Sequence, residues 1–592
     1  MLGGILVLKL FKHFVLEDYL IITCVVILVV FSVFLDLRTP EYMSEITRLV
    51  QTQDSTMNEI LIAGSHMLIC AVGSLICTVC VGYFTARLSA RFSRHIRWRI
   101  FNKVESFGIA EIKKFSTSSL ITRTTNDVTH IEMLLAMGLQ LLIKSPVMAV
   151  WALMKILGKS GELSFITGIG VIIVVITNLF IIKTVTPRFE KMQKLTDKMN
   201  GVTRENLMGI RVIRAFNAEK FQEKRFENVN QDLAGTQLAN EKTFAIMGPV
   251  MNFVMHFQHL GIYFVGAFII IHSGMMDKLT MFSNMVVFSS YGMQVIISFL
   301  MLTMIFMVLP RARVSAKRIN EVLDEEVSIV TGRFLGDTFE VGTVEFENVS
   351  FKYPDADEYL LKNITFKVNQ GETVAFIGST GSGKSTLINL VPRLYDVTDG
   401  AIYVDGVNVK DFYLPVLNSK IGYIPQKAVM FTGSVYDNVS YGDNGRGKAD
   451  LDKVKEAVRI AQAKDFVEKM DGKYDALISR GGTNISGGQK QRLSIARAIA
   501  RDPEIYIFDD SFSALDYQTD AKLRQELKKY TKDATCLIVA QRIGTIMNAD
   551  KIIVLDKGEC VGIGTHKELL KNCDVYREIA LSQLSEEELE NA

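Results

Sequence analysis

The stretch Gly378-Ser379-Thr380-Gly381-Ser382-Gly383-Lys384-Ser385-Thr386 has the spacing G-x-x-x-x-G-K-[ST], which binds the phosphates of a nucleoside triphosphate. Its glycines let backbone N–H groups close around phosphate oxygens, and a helix N-terminus behind them adds a favourable dipole. Lys384 supplies a point charge and the Ser385 hydroxyl a ligand for Mg²⁺. The apolar run Val374–Ile377 predicts a strand before the loop, and Leu387, Ile388, Leu390 and Val391 the buried face of a helix after it. An ordinary Gly-rich turn would not need that strand–loop–helix order.

Other residues suit the same chemistry. Ile505–Phe508 reads as a buried strand ending in Asp509, a carboxylate placed for a Mg²⁺ shell. Ser486-Gly487-Gly488-Gln489 opens a helix whose amides suit a γ-phosphate. If that helix lies far from the chain's own loop, it needs a second copy of the domain. Tyr353, before Pro354, suits stacking on an adenine ring, although a strand-end tyrosine equally serves packing. Val344–Tyr353 alternates in the manner of an edge strand.

The elements that position these residues fill only the second half of the chain. Of 592 residues 48% are hydrophobic, with 25 Met, and the mean hydropathy of +0.22 places much of the chain in lipid. A net charge of +2 gives no reason to expect a nucleic-acid partner. Six stretches are long enough to span a bilayer: about Tyr19–Leu35, Ile60–Ala86, Ile131–Leu157, Ser164–Val185, Phe244–His272 and Leu279–Leu309. Ile5–Val15 mixes apolar and basic residues as an interfacial helix does, and no removable signal peptide is read. Basic residues crowd the segments after the second span (Arg87, Arg91, Arg94) and the fourth (Arg188, Lys191, Lys194). The opposite side carries little beyond Arg38, Arg48, Lys159 and Lys278. The positive-inside rule therefore expects both basic segments, both termini and the soluble half in the cytoplasm of a multi-pass cell-membrane protein.

Within the spans, His66, Lys144, Lys155, Asn252, His256, His259 and Gln294 are expected to face the bundle interior, lining a cavity or bonding between helices. The last span holds Met281, Met285, Phe288, Met293, Phe299, Met301, Met304, Phe306 and Met307, which suit either an adaptable cavity wall or a lipid-facing surface. Cys77 and Cys80, a C-x-x-C pair inside an apolar helix, read as packing residues, and none of the seven cysteines forms a disulfide pattern.

Taken in order, Tyr353, the Gly378–Thr386 loop, Gln426 in Ile421-Gly-Tyr-Ile-Pro-Gln, Ser486–Gln489, Asp509 and Ser513-Ala-Leu-Asp516 resemble the ATP-binding-cassette domain. With the six spans ahead of it, the whole chain resembles an exporter half-transporter. The resemblance implies a multi-domain fold. A six-helix polytopic membrane domain with domain-swapped helices (1–310) carries two cytoplasmic coupling segments, within Phe107–Asp127 and Glu205–Glu219. A linker (311–341) then leads to an α/β P-loop cassette (342–592). It implies ATP as substrate and Mg²⁺ as cofactor, held by Ser385, Gln426 and Asp509. The signature Ser486–Gln489 would be lent to a partner's ATP, with Asp516 beside it.

Three positions depart from the family pattern. The family's usual Glu after Asp509 is Asp510, and its usual His is Gln541. A side chain one methylene shorter withdraws its carboxylate by about 1.5 Å, and a misplacement of about 1 Å costs about a hundredfold in rate. Gln541 still offers an N–H donor but no imidazolium charge. Ser479-Arg480-Gly481-Gly482 lacks the acidic residue that many relatives carry before the signature. The first two fall in the site built by this chain's own loop, while its signature is intact. That pattern resembles the degenerate-site subunit of heterodimeric bacterial multidrug exporters. The expected catalytic positions are thus Asp510, Gln541 and Gln426, in a slow site. The expected partners are a second half-transporter, the bilayer and an apolar or amphipathic compound. A homodimeric exporter, a lipid or peptide exporter, and a nucleotide-regulated sensor remain as alternatives.

Overall fold

The computed structural model describes residues 9–52, 55–157, 161–272, 275–442 and 447–584. It divides into two compact units: Met1–Glu105 with Thr117–Glu325, and Ser106–Ser116 with Glu326–Ala592.

The first unit is helical, with six helices among the described residues long and apolar enough to cross a membrane. The apolar runs lie within longer helices, Leu16–Gln51, Met57–Glu105, Gly161–Met208 and Met275–Asp324 among them. Residues 311–324, expected as linker, prolong the last of these. Residues 5–8 of the interfacial stretch Ile5–Val15, and Lys159, lie outside the described residues; in the rest of that stretch residues 9–11 are helical. Val33, Leu37, Ala152, Ile262, Phe288 and Tyr291 pack one core of the unit. The Tyr291 hydroxyl donates to the Leu37 carbonyl at 2.9 Å, satisfying a polar group inside that core.

Of the polar residues expected to face the interior, Lys144 and Gln294 line a cavity and Lys155 pairs with Glu41 of another helix, but three need correction. His66, Asn252 and His256 are exposed on this unit. Helix Met247–His272 turns Met251, Val254, Gln258 and Ile262 inward at three- and four-residue steps, and Asn252 and His256 fall off that stripe. The Met-rich last span divides between both readings. Met285 and Phe288 pack in the core, Met293 and Met301 line a cavity, and Met304 is exposed.

The second unit carries a parallel sheet in the order Glu559–Gly564, Lys551–Asp556, Thr373–Gly378, Thr535–Val539, Ile505–Asp509, Ile421–Ile424, antiparallel only at the first edge. The phosphate-loop strand and the Asp509 strand thus flank Thr535–Val539, and all three deliver their C-terminal ends to one side. Val344–Phe351 is not an edge strand. It pairs antiparallel with both Leu361–Val368 and Asp399–Val404, and its Val344, Phe346, Val349 and Phe351 are buried by the sheet packed beside it. Alternation alone does not distinguish an interior antiparallel strand from an edge one. A second core forms around Leu493, Ile495, Ile499, Tyr506 and Phe508, under the helix that Ser486 opens.

Candidate functional site

The loop after Thr373–Gly378 ends at helix Lys384–Asn389, which Leu387 and Ile388 bury against the sheet. Gly381 and Gly383 have φ of 87° and 95°, a conformation that favours glycine. At Gly383 a Cβ would also meet Leu361 at 2.6 Å, whereas at Gly381 it would point into open space. Lys384 folds back over this loop, its ammonium donating to the carbonyls of Gly378 at 2.9 Å and Ser379 at 2.7 Å. Half-burial lowers its pKa, partly countered by Asp510 and Asp509 nearby. With the Ser382 hydroxyl at 3.4 Å as its further acceptor, this ammonium is ready to exchange neutral oxygens for those of a phosphate.

Strand Ile505–Asp509 sets the next pair. The Ser385 hydroxyl donates to Asp509 Oδ1 at 2.6 Å, so two of the three expected Mg²⁺ ligands already touch. Burial raises the Asp509 pKa, which the Ser385 bond opposes. A buried carboxylate beside a hydroxyl is an oxygen pair of the kind a hard dication takes.

Asp510 lies one residue on, with a left-handed φ of 46°. Its Oδ2 accepts the side-chain N–H of Gln426 at 3.1 Å and that of Gln541 at 2.9 Å. The three residues expected to be catalytic therefore meet at one carboxylate oxygen. Gln541 comes from the end of Thr535–Val539 and Gln426 from the end of Ile421–Ile424, both sheet neighbours of Ile505–Asp509.

Tyr353 bonds through its hydroxyl to Thr386 Oγ1 at 2.8 Å and meets Phe351 and Tyr395 edge-on. The Lys113 ammonium lies 4.8 Å from the centre of its ring. Helix Ile109–Phe115, from the first expected coupling segment, carries Lys113 and packs Ile109 and Ala110 on the cassette core. The second such segment forms helix Ile210–Ala215 within the first unit.

Ser486 is the N-cap of helix Gly487–Arg501. Its backbone N–H donates to Gln489 Oε1 at 2.9 Å, and its hydroxyl accepts from the Gln489 N–H at 3.3 Å. Ser486 and Gly487 are exposed, and a Cβ at Gly487 would meet nothing. This helix belongs to a different core from the phosphate-loop helix. Asp516 caps helix Tyr517–Tyr530, accepting from the Thr519 N–H at 3.0 Å.

Sequence reasoning missed three contributors. Tyr423 donates to Asn389 Oδ1 at 2.9 Å and lies 3.5 Å from Asp509 Oδ2, its pKa pushed up by burial. Lys113 over Tyr353 is the second, and the buried Ser511, which donates to the Ile424 carbonyl at 2.9 Å, is the third. Of these only Tyr423 carried a signal, as the aromatic three residues before Gln426.

Residues 361–513 match the family model described as ABC transporter, and residues 21–299 that described as ABC transporter transmembrane region. An uncharacterised ABC transporter ATP-binding protein of Mycobacterium tuberculosis is 38% identical over 87% of this chain and 86% of its own length. The chain belongs to the ABC transporters. It is a half-transporter, with an N-terminal membrane domain and a cassette that faces the cytoplasm. The ATP-dependent lipid A-core flippase of Pseudomonas aeruginosa is 30% identical over 85% of this chain and 82% of its own. A bacterial Atm1-family ABC exporter, solved with ATP bound, superposes with a TM-score of 0.79 at 23% identity. It covers 95% of this chain and 99% of its own, which establishes the exporter fold. Membership in this family implies ATP hydrolysis coupled to transport by a dimer in the bilayer.

Proposed function

We propose that this ABC half-transporter is the slow-site subunit of a heterodimeric exporter for apolar or amphipathic compounds. Tyr353 would stack on adenine, and the amides of Gly378 to Thr386 with Lys384 would hold the phosphates. Ser385, Asp509 and Gln426 would hold Mg²⁺, which neutralises phosphate charge. The fit is supported by the Ser385–Asp509 contact and by the burial of Asp509.

The observation that carries the reading is at Asp510. Its carboxylate is short by one methylene, and Oδ2 takes N–H bonds from Gln426 and Gln541. A carboxylate so engaged is a poorly placed acceptor for the proton of an attacking water. Ser486, Gly487, Gly488 and Gln489 are exposed or half-exposed and ready to complete a partner's site, where turnover would concentrate. ATP binding would join the two cassettes and turn the membrane domains outward, and hydrolysis at the partner's loop would reset them. Both termini would lie in the cytoplasm, on the side of the basic segments.

The test is ATPase activity of the purified chain, alone and with a second half-transporter that carries Glu and His at the two positions. Activity only in the pair, lost when the partner's Glu is changed to Gln, supports the reading. Brisk hydrolysis by this chain alone would favour a homodimer.

A further inference from the structure

The first unit holds a cavity of about 610 Å³ among helices Leu16–Gln51, Met57–Glu105, Leu139–Leu157 and Met275–Asp324. One wall is charged. Asp36 lies 3.1 Å from the Lys144 ammonium and accepts a hydrogen bond from the Ser74 hydroxyl. Both carboxylate oxygens are thereby engaged, one by each partner. Lys144 has three N–H donors and only this carboxylate beside it among the contacts described. Ion pairs in a span are costly, and where they occur they mark a path or a binding site.

Two further groups point to a ligand. The Ser145 hydroxyl, on a residue 2% exposed, lines the cavity with no hydrogen-bond partner among the described residues. Gln294 donates to the Asp36 carbonyl at 3.3 Å, and its buried Oε1 has no partner among the described residues. A buried polar atom without a partner is destabilising, a cost that a ligand of matching chemistry removes. Met43, Met148, Met293 and Met301 also line it, adaptable thioethers suited to an alkyl or aromatic body.

We propose that this cavity binds amphiphiles with an anionic head that also carries a hydrogen-bond donor, and that Lys144 anchors the head. Lys144 and Ser145 donate to the anion, Gln294 Oε1 accepts from the head's donor, and the methionines take the apolar body. A cationic head finds Asp36 already engaged on both oxygens. The site specifies the cargo class of the exporter proposed above and rests on that reading for its role in transport, though its occupancy does not.

Binding is measured without nucleotide, on the full chain in nanodiscs of uncharged lipid, using dodecyl phosphate and dodecyltrimethylammonium. Dodecyl phosphate should bind at least about tenfold more tightly, losing about tenfold in Lys144→Gln and recovering in Lys144→Arg. Tighter binding of the cation, or unchanged binding in Lys144→Gln, overturns the proposal. Because no ATP is present, failure here is separate from failure of the ATPase test. Adding phosphatidylglycerol to the nanodisc distinguishes the sources: displacement of dodecyl phosphate assigns the site to a lipid, and its persistence to a soluble amphiphile.

Discussion

Gln541 donates its side-chain N–H to Asp510 Oδ2 at 2.9 Å, so the two catalytic positions that depart from the family pattern are bonded to each other. Gln426 adds a second N–H to the same oxygen at 3.1 Å. Residues in one hydrogen-bond network couple energetically, so the two departures act as a unit.

Restoring the longer carboxylate should therefore depend on position 541. Asp510→Glu should raise hydrolysis at this chain's site by up to about a hundredfold when combined with Gln541→His. Each change alone should give less than its share, because the remaining partner still fits the shorter or longer neighbour poorly. The measurement is ATPase activity of a pair whose other phosphate loop has been inactivated. Additive effects would show that the two side chains work separately.

Asp509 makes a prediction in pH. Burial raises its folded pKa above the unfolded value, so its contribution to stability is fully present below the unfolded pKa and is lost as pH rises through the folded one. At neutral pH the ionised carboxylate is a net cost in the nucleotide-free protein. Asp509→Asn should raise the nucleotide-free Tm at pH 7.5, with the gain shrinking as pH falls. The variant should also lose the stabilisation that Mg²⁺ with ATP gives the unaltered protein. A Tm that drops at pH 7.5 would mean that the Ser385 bond outweighs burial.

The cassette was legible because its chemistry depends on short stretches whose residue types and strand context are fixed together. The loop at Gly378–Thr386, the cap at Ser486 and the strand end at Asp509 all lie where local pattern placed them. What pattern did not reveal depends on distant partners. Val344–Phe351 has neighbours on both sides, one of them contributed some 50 residues downstream in the chain. Asn252 and His256 are ordinary in composition, and only the inward stripe of their helix decides where they point. The Gln426–Asp510–Gln541 cluster joins the ends of three strands that are adjacent only in the sheet.

Lys113 is a contact of this long-range kind, joining a helix of residues 109–115 to Tyr353 and Tyr395 through their ring faces. A cation–π contact at a partly exposed site is worth about 0.5–1 kcal/mol. Lys113→Met should therefore speed amide exchange across residues 109–115 by about two- to fivefold, leaving the central strands of the sheet unchanged. Faster exchange in Thr373–Gly378 as well would mean that the lysine supports the cassette core rather than the docked helix.

Gly292 tests the packing of the membrane unit. An added Cβ there would lie 1.3 Å from Gln258 Nε2 and 2.5 Å from its Cδ, so the Gln258 side chain occupies the space that any other residue needs. Gln258 is 2% exposed, and the amide has little room to swing aside. Gly292→Ala should destabilise the protein by about 1–3 kcal/mol, the usual range for overpacking. Gln258→Ala vacates that space and removes a buried amide whose oxygen and nitrogen both lack partners among the described residues. The double variant should therefore recover most of the Tm lost in Gly292→Ala. If the losses simply add, the strain lies in the backbone of the helix and not in the meeting of these two side chains.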